Sequence, residues 1–160
     1  MRAIDASSII YAWDNYPADQ FPPMWGWIAE EIREGRLLIA SVAFREVRDK
    51  TPECARWLND CGISILDIGN AELNEALRIK QLIGVQGDNY HPKGVGENDL
   101  LIISASRLRH FILISDEERQ PNLPNVPSKM KIPAVCALPE VRVECINFLT
   151  YLKQSGRVFG

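Results

Sequence analysis

Several features that would mark common functions are absent from this chain. No apolar run approaches the roughly 20 residues that a bilayer-spanning helix needs. The opening MRAIDASSII has no basic start, long apolar stretch or small-residue cleavage site, so an export signal is not expected. These two absences point to a cytoplasmic protein with no membrane attachment. There are only two histidines, His91 and His110, too few for a His-based zinc site. The four cysteines, Cys54, Cys61, Cys136 and Cys145, form no CxxC pair, which argues against structural zinc. Cys54 and Cys61 lie two helical turns apart, too far for a disulfide within one helix. Reduced, buried or half-buried thiols are therefore expected. No repeat and no low-complexity tract is present. The net charge of -3 excludes a general polyanion-binding surface, but not a local basic rim around a nucleic-acid site.

At 160 residues the chain can build one α/β domain with a real core, and is short for two. We expect a single domain over residues 1–160. Short apolar runs alternate with helical stretches, the pattern of βα units around a largely parallel sheet. A first strand is predicted over Arg2 to Asp5, with a helix from Ser7 that ends before Pro17. Pro22 and Pro23 fit the first turn of the next helix, where a missing N–H costs nothing. Trp25, Ile28, Ala29 and Ile32 then share its core face, and Gly35 supplies a left-handed cap. Leu37 to Val42 reads as a buried strand, and Phe44 to Asp49 as a helical turn.

Thr51-Pro52-Glu53 is a helix start, with its stop at Gly62. Ile63 to Ile68 is a strand candidate. Asn70 is expected to cap a helix from Ala71 to about Ile83, with Leu73, Leu77 and the Lys80 stem along one side. Gly84 to Gly96 reads as an exposed loop. Asn98 to Leu108 is an apolar helix and Phe111 to Ser115 a buried strand. Arg119 to Pro133 reads as a second loop and Val141 to Ile146 as a last strand. Asn147 caps a terminal helix ending at Gly156.

The acids fall at informative places on this map. Asp5 ends the first strand, and Glu46 lies in the first turns after the second main strand. Asp99 opens a helix, and Asp116 and Glu117 follow a strand. In a parallel βα sheet, strand C-termini and helix N-termini share the edge where ligands bind. Crowded carboxylates repel and raise one another's pKa values unless a cation neutralises them. Oxygen donors without His or Cys suit Mg²⁺ or Mn²⁺. Such a centre can activate water and stabilise charge on a phosphodiester. Each acid singly could instead cap a helix, since carboxylates are favoured at the positive helix end.

The opening IDASSIIYAWDNYP resembles the N-terminal motif of PIN-like domains, and especially a bacterial subgroup of unknown function. The resemblance continues in order through FPPMWGWIAEEIREGRLLIASVAFREV, PECARWL, NDLLIISAS, ILISDEE and KIPAVC…ECINFL, nearly the whole chain. It implies a three-layer α/β/α fold with a central, largely parallel sheet. It also implies a metal-dependent ribonuclease like the toxins of bacterial toxin–antitoxin pairs. An RNA substrate, an antitoxin partner and a possible homodimer follow from the same resemblance. Carried over by motif, Asp5, Glu46 and Asp99 are the first three acids. The fourth is Glu117 or Asp116, after Ser115. Ser7 orients the first acid. Ala6 departs from the family's usual hydroxyl residue there. Asn98 stands where a small residue is usual and is expected to add a polar group that supports the acids, as is Ser115.

Arg45, Arg48, Lys93, Arg107 and Arg119 lie near the acids in sequence and are candidates for RNA phosphate contacts. His91 reads as a loop residue, His110 as structural, and Trp13 as core or as part of a substrate groove. The competing function is an inactive PIN-like module that binds RNA or protein. Haloacid-dehalogenase-like chemistry wants an Asp-x-Asp pair after the first strand, and Asp5-Ala6-Ser7 does not provide it.

Overall fold

The computed structural model describes residues 1–160 and contains a five-stranded sheet flanked by helices. The strands are β1 (Arg2–Ile4), β2 (Leu37–Ala40), β3 (Ser64–Leu66), β4 (Ile112–Ile114) and β5 (Cys145–Ile146). All pairings are parallel, in the order β3-β2-β1-β4-β5. The helices are α1 (Ala6–Asn15), α2 (Pro22–Arg33), α3 (Ser41–Lys50), α4 (Pro52–Asp60), α5 (Asn70–Leu82), α6 (Glu97–Arg109), α7 (Ile132–Ala137) and α8 (Phe148–Ser155). No helix is long and apolar enough to cross a membrane.

The strand order places the topological switch between β1 and β4. The chain leaves β1 toward β2 and β3, then returns through α5 and α6 to β4 on the other side. Loops diverge from this point, which opens a crevice at the strand C-termini. β1 is buried on both faces, so Ala3 and Ile4 carry the sheet centre with Leu37, Ile39, Leu113 and Ile114. The predicted core face of α2 is buried, and Gly35, Gly62 and Gly156 take the left-handed conformation. Asn147 caps α8 by accepting the Thr150 N–H at 2.8 Å.

Several boundaries differ from the sequence expectations. The run Leu37 to Val42 splits after Ala40, and Ser41 and Val42 begin α3. An apolar run buried on all sides fits either state, so composition could not divide it. Gly69 rather than Asn70 is the N-cap of α5, because Glu72 reaches back to accept the Gly69 N–H at 2.9 Å. Thr51 precedes α4, but its hydroxyl makes no capping bond. Residues 119–133 are not one loop. They contain a 3₁₀ turn over Pro127–Lys129, and α7 begins at Ile132 with Pro133 in its first turn. The last strand shrinks to Cys145–Ile146.

Leu73 and Leu77 do share a side of α5 with Lys80, but that side is an exposed groove against Tyr90 and Leu101. The four cysteines are free. Trp13 belongs to a packed aromatic cluster, its ring centroid 5.4 Å from Trp25 and 6.2 Å from Trp57.

Candidate metal centre

Asp5 stands at the switch point. Its backbone N–H donates to the Ile114 carbonyl at 2.8 Å, which fixes it beside β4. The residue is 4% exposed. Its Oδ2 accepts the Ser7 hydroxyl at 2.7 Å and the Ser115 hydroxyl at 3.2 Å. The two hydroxyls are themselves held, since Ser7 Oγ accepts the Asp116 N–H and Ser115 Oγ the Glu117 N–H, both at 3.3 Å. Burial pushes the Asp5 carboxyl up to about 6; Ser7 opposes this, and Glu117 and Glu46 add to it.

Asp99 is the third residue of α6. Its Oδ2 accepts the Gly96 N–H at 2.8 Å, so one oxygen does act as a cap. That bond alone would lower the pKa. Burial instead pushes the carboxyl up to about 7, with further contributions from Glu117, Asp5 and Glu46. A simple cap would not sit in such a field. Glu46 and Glu117 are half-buried, and each raises both aspartates. Glu46 Oε1 accepts from Lys50 Nζ at 2.5 Å, and Glu117 Oε2 accepts the Ile132 N–H at 2.9 Å.

Asp116 points elsewhere. Its Oδ1 accepts the Phe148 N–H at 2.7 Å at the start of α8. Burial raises its carboxyl, and none of the four other acids contributes. Of the two adjacent candidates, Glu117 is the one whose charge acts on Asp5 and Asp99.

The arrangement is open. No three His, Cys, Asp or Glu side chains converge tightly enough to enclose an ion as they stand. All four acids spend an oxygen on a protein donor: Asp5 on Ser7 and Ser115, Glu46 on Lys50, Asp99 on Gly96 and Glu117 on Ile132. The donor chemistry nonetheless fits a hard divalent cation: the cluster offers carboxylate oxygens and no nitrogen or sulfur. Mg²⁺ binds through one or two carboxylates and keeps several waters, so the acids need not close on one another. Buried Asp5 and half-buried Asp99, both with raised pKa values, gain from a cation, which lets both ionise at neutral pH.

The predicted basic residues divide. Arg45 shares an open groove with Glu46, Lys50 and Asn98. Asn98 is exposed there and hydrogen-bonds none of the acids, so the expected support from its side chain is not seen. Lys93 lines a groove with Glu117. Arg119 donates to the Cys145 carbonyl at 2.8 Å and lies beside Asp116 and Glu117. Arg48 lines none of these grooves and pairs with Asp49 at 3.5 Å. Arg107 is not at this edge. It pairs with Glu75 at 3.3 Å and donates to the Val141 carbonyl, eight residues or about 12 Å along α6 from Asp99. His91 accepts the Lys93 N–H within its loop, and His110 is the left-handed cap of α6.

Lys50 was missed by the sequence reading. Its ammonium pairs with Glu46 and lies in the field of Asp5 and Asp99, which together raise its pKa. The Glu46–Lys50 spacing of four on a helix was the available signal.

The comparisons with known proteins agree with this architecture. No curated protein matches the chain. VapBC2 from Rickettsia felis, solved bound to a DNA fragment from their promoter, aligns with a TM-score of 0.50 at 15% identity, over 81% of this chain and 96% of that one. DNA-bound VapBC from Salmonella typhimurium aligns with a TM-score of 0.51 at 16% identity, over 81% and 95%. PAE2754 from Pyrobaculum aerophilum aligns with a TM-score of 0.50 at 16% identity, over 98% and 97%. At these identities the likeness is one of fold, and the fold is PIN-like. Residues 3–159 match the family described as "Domain of unknown function (DUF4411)", and the chain belongs to that family.

Proposed function

We propose that this protein is a metal-dependent endoribonuclease, acting as the toxin of a bacterial toxin–antitoxin pair. The observation that carries the reading is the placement of Asp5 after β1, Glu46 on α3, Asp99 in the first turn of α6 and Glu117 after β4, close enough at the sheet's switch-point edge for their charges to act on one another. One buried acid and three half-buried ones that repel one another cost stability, and a function that uses their charge explains why they are there. Asp5, Glu46, Asp99 and Glu117 would hold Mg²⁺ or Mn²⁺, which would supply charge neutralisation at a phosphodiester and an acidified water.

The chain's own residues position the site. Ser7 and Ser115 fix Asp5 Oδ2, which keeps that carboxylate in one orientation. Ile132 N–H anchors Glu117, and Gly96 N–H anchors Asp99. Lys50 neutralises part of the acidic charge, and its ammonium can move to a phosphate oxygen when RNA arrives. Hydrolysis adds a water oxygen to phosphorus and releases one ester oxygen, which takes a proton. The VapBC likeness in fold supports an antitoxin partner and the toxin role.

One observation favours the second reading, an inactive module that binds RNA or protein. Lys50 holds Glu46 in an ion pair, as an internal cation would in a site that needs no metal. Purified protein incubated with single-stranded RNA separates the two. The nuclease reading expects cleavage with Mn²⁺ or Mg²⁺ that stops in EDTA. Cleavage that persists undiminished in EDTA contradicts the metal mechanism, and binding without cleavage in either metal favours the module.

A further inference from the structure

The segment that leads into α6 meets the 3₁₀ turn of Pro127–Lys129 beside Glu117. The Val95 N–H donates to the Met130 carbonyl at 2.9 Å. A side chain at Gly94 would overlap the Ser128 carbonyl, so only glycine lets the two segments approach this closely. Gln120 braces the second segment: its amide donates to the Lys129 carbonyl at 3.1 Å, and its oxygen accepts the Lys131 N–H at 2.8 Å. The result is a groove of about 640 Å³ whose charged walls are Lys93, Lys129, Lys131, Glu117 and Glu118.

The charges in this groove are unequal. Lys131 is neutralised by Glu118 at 3.0 Å. Lys93 and Lys129 take part in none of the chain's ion pairs. No aromatic ring lines the groove, so its occupant is held by charge rather than by stacking. Because Glu117 belongs both to the groove and to the carboxylate cluster, one ligand can lie against both.

We propose that this groove holds the sugar–phosphate backbone of a single RNA strand on its way to the carboxylate cluster, with Lys93 and Lys129 each pairing with a phosphate. The identity of the strand rests on the nuclease reading above. Phosphate contacts position a strand and carry no base information, so the groove contributes affinity without sequence preference.

The test is binding of a fluorescein-labelled single-stranded RNA in EDTA, followed by anisotropy over a range of KCl concentrations. Each phosphate contact on a single strand contributes a slope of about -0.7 in log K against log salt. The Lys93→Ala/Lys129→Ala variant should lose about 1.4 from the parent's slope, equally for RNAs of different sequence. Lys153→Ala, an exposed lysine in the last turn of α8, should keep the parent's slope. A double variant with the parent's slope overturns the proposal, as it would if the groove served an acidic protein partner. Absence of salt-dependent RNA binding by the parent also overturns it. Cleavage of the same RNA in Mn²⁺ reports on the carboxylates separately. EDTA-sensitive cleavage with an unchanged slope discards the groove alone. The expected slope without cleavage discards the nuclease reading alone.

Discussion

Replacing Asp5 by Asn should stabilise the metal-free protein at neutral and alkaline pH. Burial holds the Asp5 carboxyl at about 6 against an ordinary value of 3.8. The folded state therefore keeps its proton more tightly than the unfolded state between those two values. Stability is lost as pH rises through this window, and the loss is complete above it. At roughly 1.4 kcal/mol per pH unit, the cost of ionising Asp5 in the fold is about 3 kcal/mol. Asn removes that cost, and its oxygen can still accept the Ser7 and Ser115 hydroxyls. A chain of this size gains roughly 2–4 °C per kcal/mol, so the upper expectation is a rise of about 6–12 °C.

The assay is a set of melting curves from pH 4 to pH 8 in EDTA. The difference between variant and parent should be near zero at pH 4 and largest at pH 8. With saturating Mn²⁺ the order reverses: the parent gains about 4.1 kcal/mol at a thousand times its Kd, more than the cost of ionising Asp5, and the variant much less. An Asn variant that melts below the parent in EDTA at pH 8, with no pH trend, would refute the argument. Asp5 would then be a structural acid whose charge the fold needs.

Three further outcomes follow from the geometry. Glu117→Gln should abolish RNA cleavage, whereas Asp116→Ala should keep it and lose about 0.5–2 kcal/mol of stability, because Asp116 caps the Phe148 N–H; cleavage and urea melts of both variants distinguish the roles. Ser115→Ala removes bonds to Asp5 and to the Glu117 backbone, and should cost 10–100-fold in metal affinity or cleavage rate, read from a Mn²⁺ dependence curve. Lys50→Met should tighten Mn²⁺ binding severalfold in a calorimetric titration, since the ammonium competes with the metal for Glu46; weaker binding would mean that Lys50 supports the site rather than screens it.

What could be read from the sequence follows local chemistry closely. Pro22-Pro23 marked α2, and Asn147 with Gly156 bounded α8, because capping and proline rules act over a few residues. α7 carried the same proline signal at Pro133, but it was hidden in a stretch whose prolines and asparagines suggested a loop. Gly69 and Gly96 are helix starts in which the acid three residues on, Glu72 or Asp99, supplies the hydrogen bond. A search for polar N-caps alone overlooks them.

That Asp5, Glu46, Asp99 and Glu117 share one edge and act on one another electrostatically was legible because topology sends strand ends and helix starts there; the open spacing between them was not. The choice between Asp116 and Glu117 was not, since adjacent side chains leave the backbone in different directions and only the position of α8 decides which is drawn away. Arg107 shows the limit of proximity in sequence: one helix carries it from the edge that Asp99 occupies to the opposite end.

The most direct test of the metal centre is an isothermal titration of Mn²⁺ into the metal-free parent, Asp99→Asn and Asp116→Asn at pH 7.5. Asp99 should give up its raised pKa, about 7, when the cation binds, so the parent should bind Mn²⁺ and release protons, seen as buffer-dependent heat. Asp116→Asn should retain that binding and Asp99→Asn should lose it. Equal Mn²⁺ binding by parent and Asp99→Asn, or none by the parent, would contradict the assignment of these acids to a metal centre.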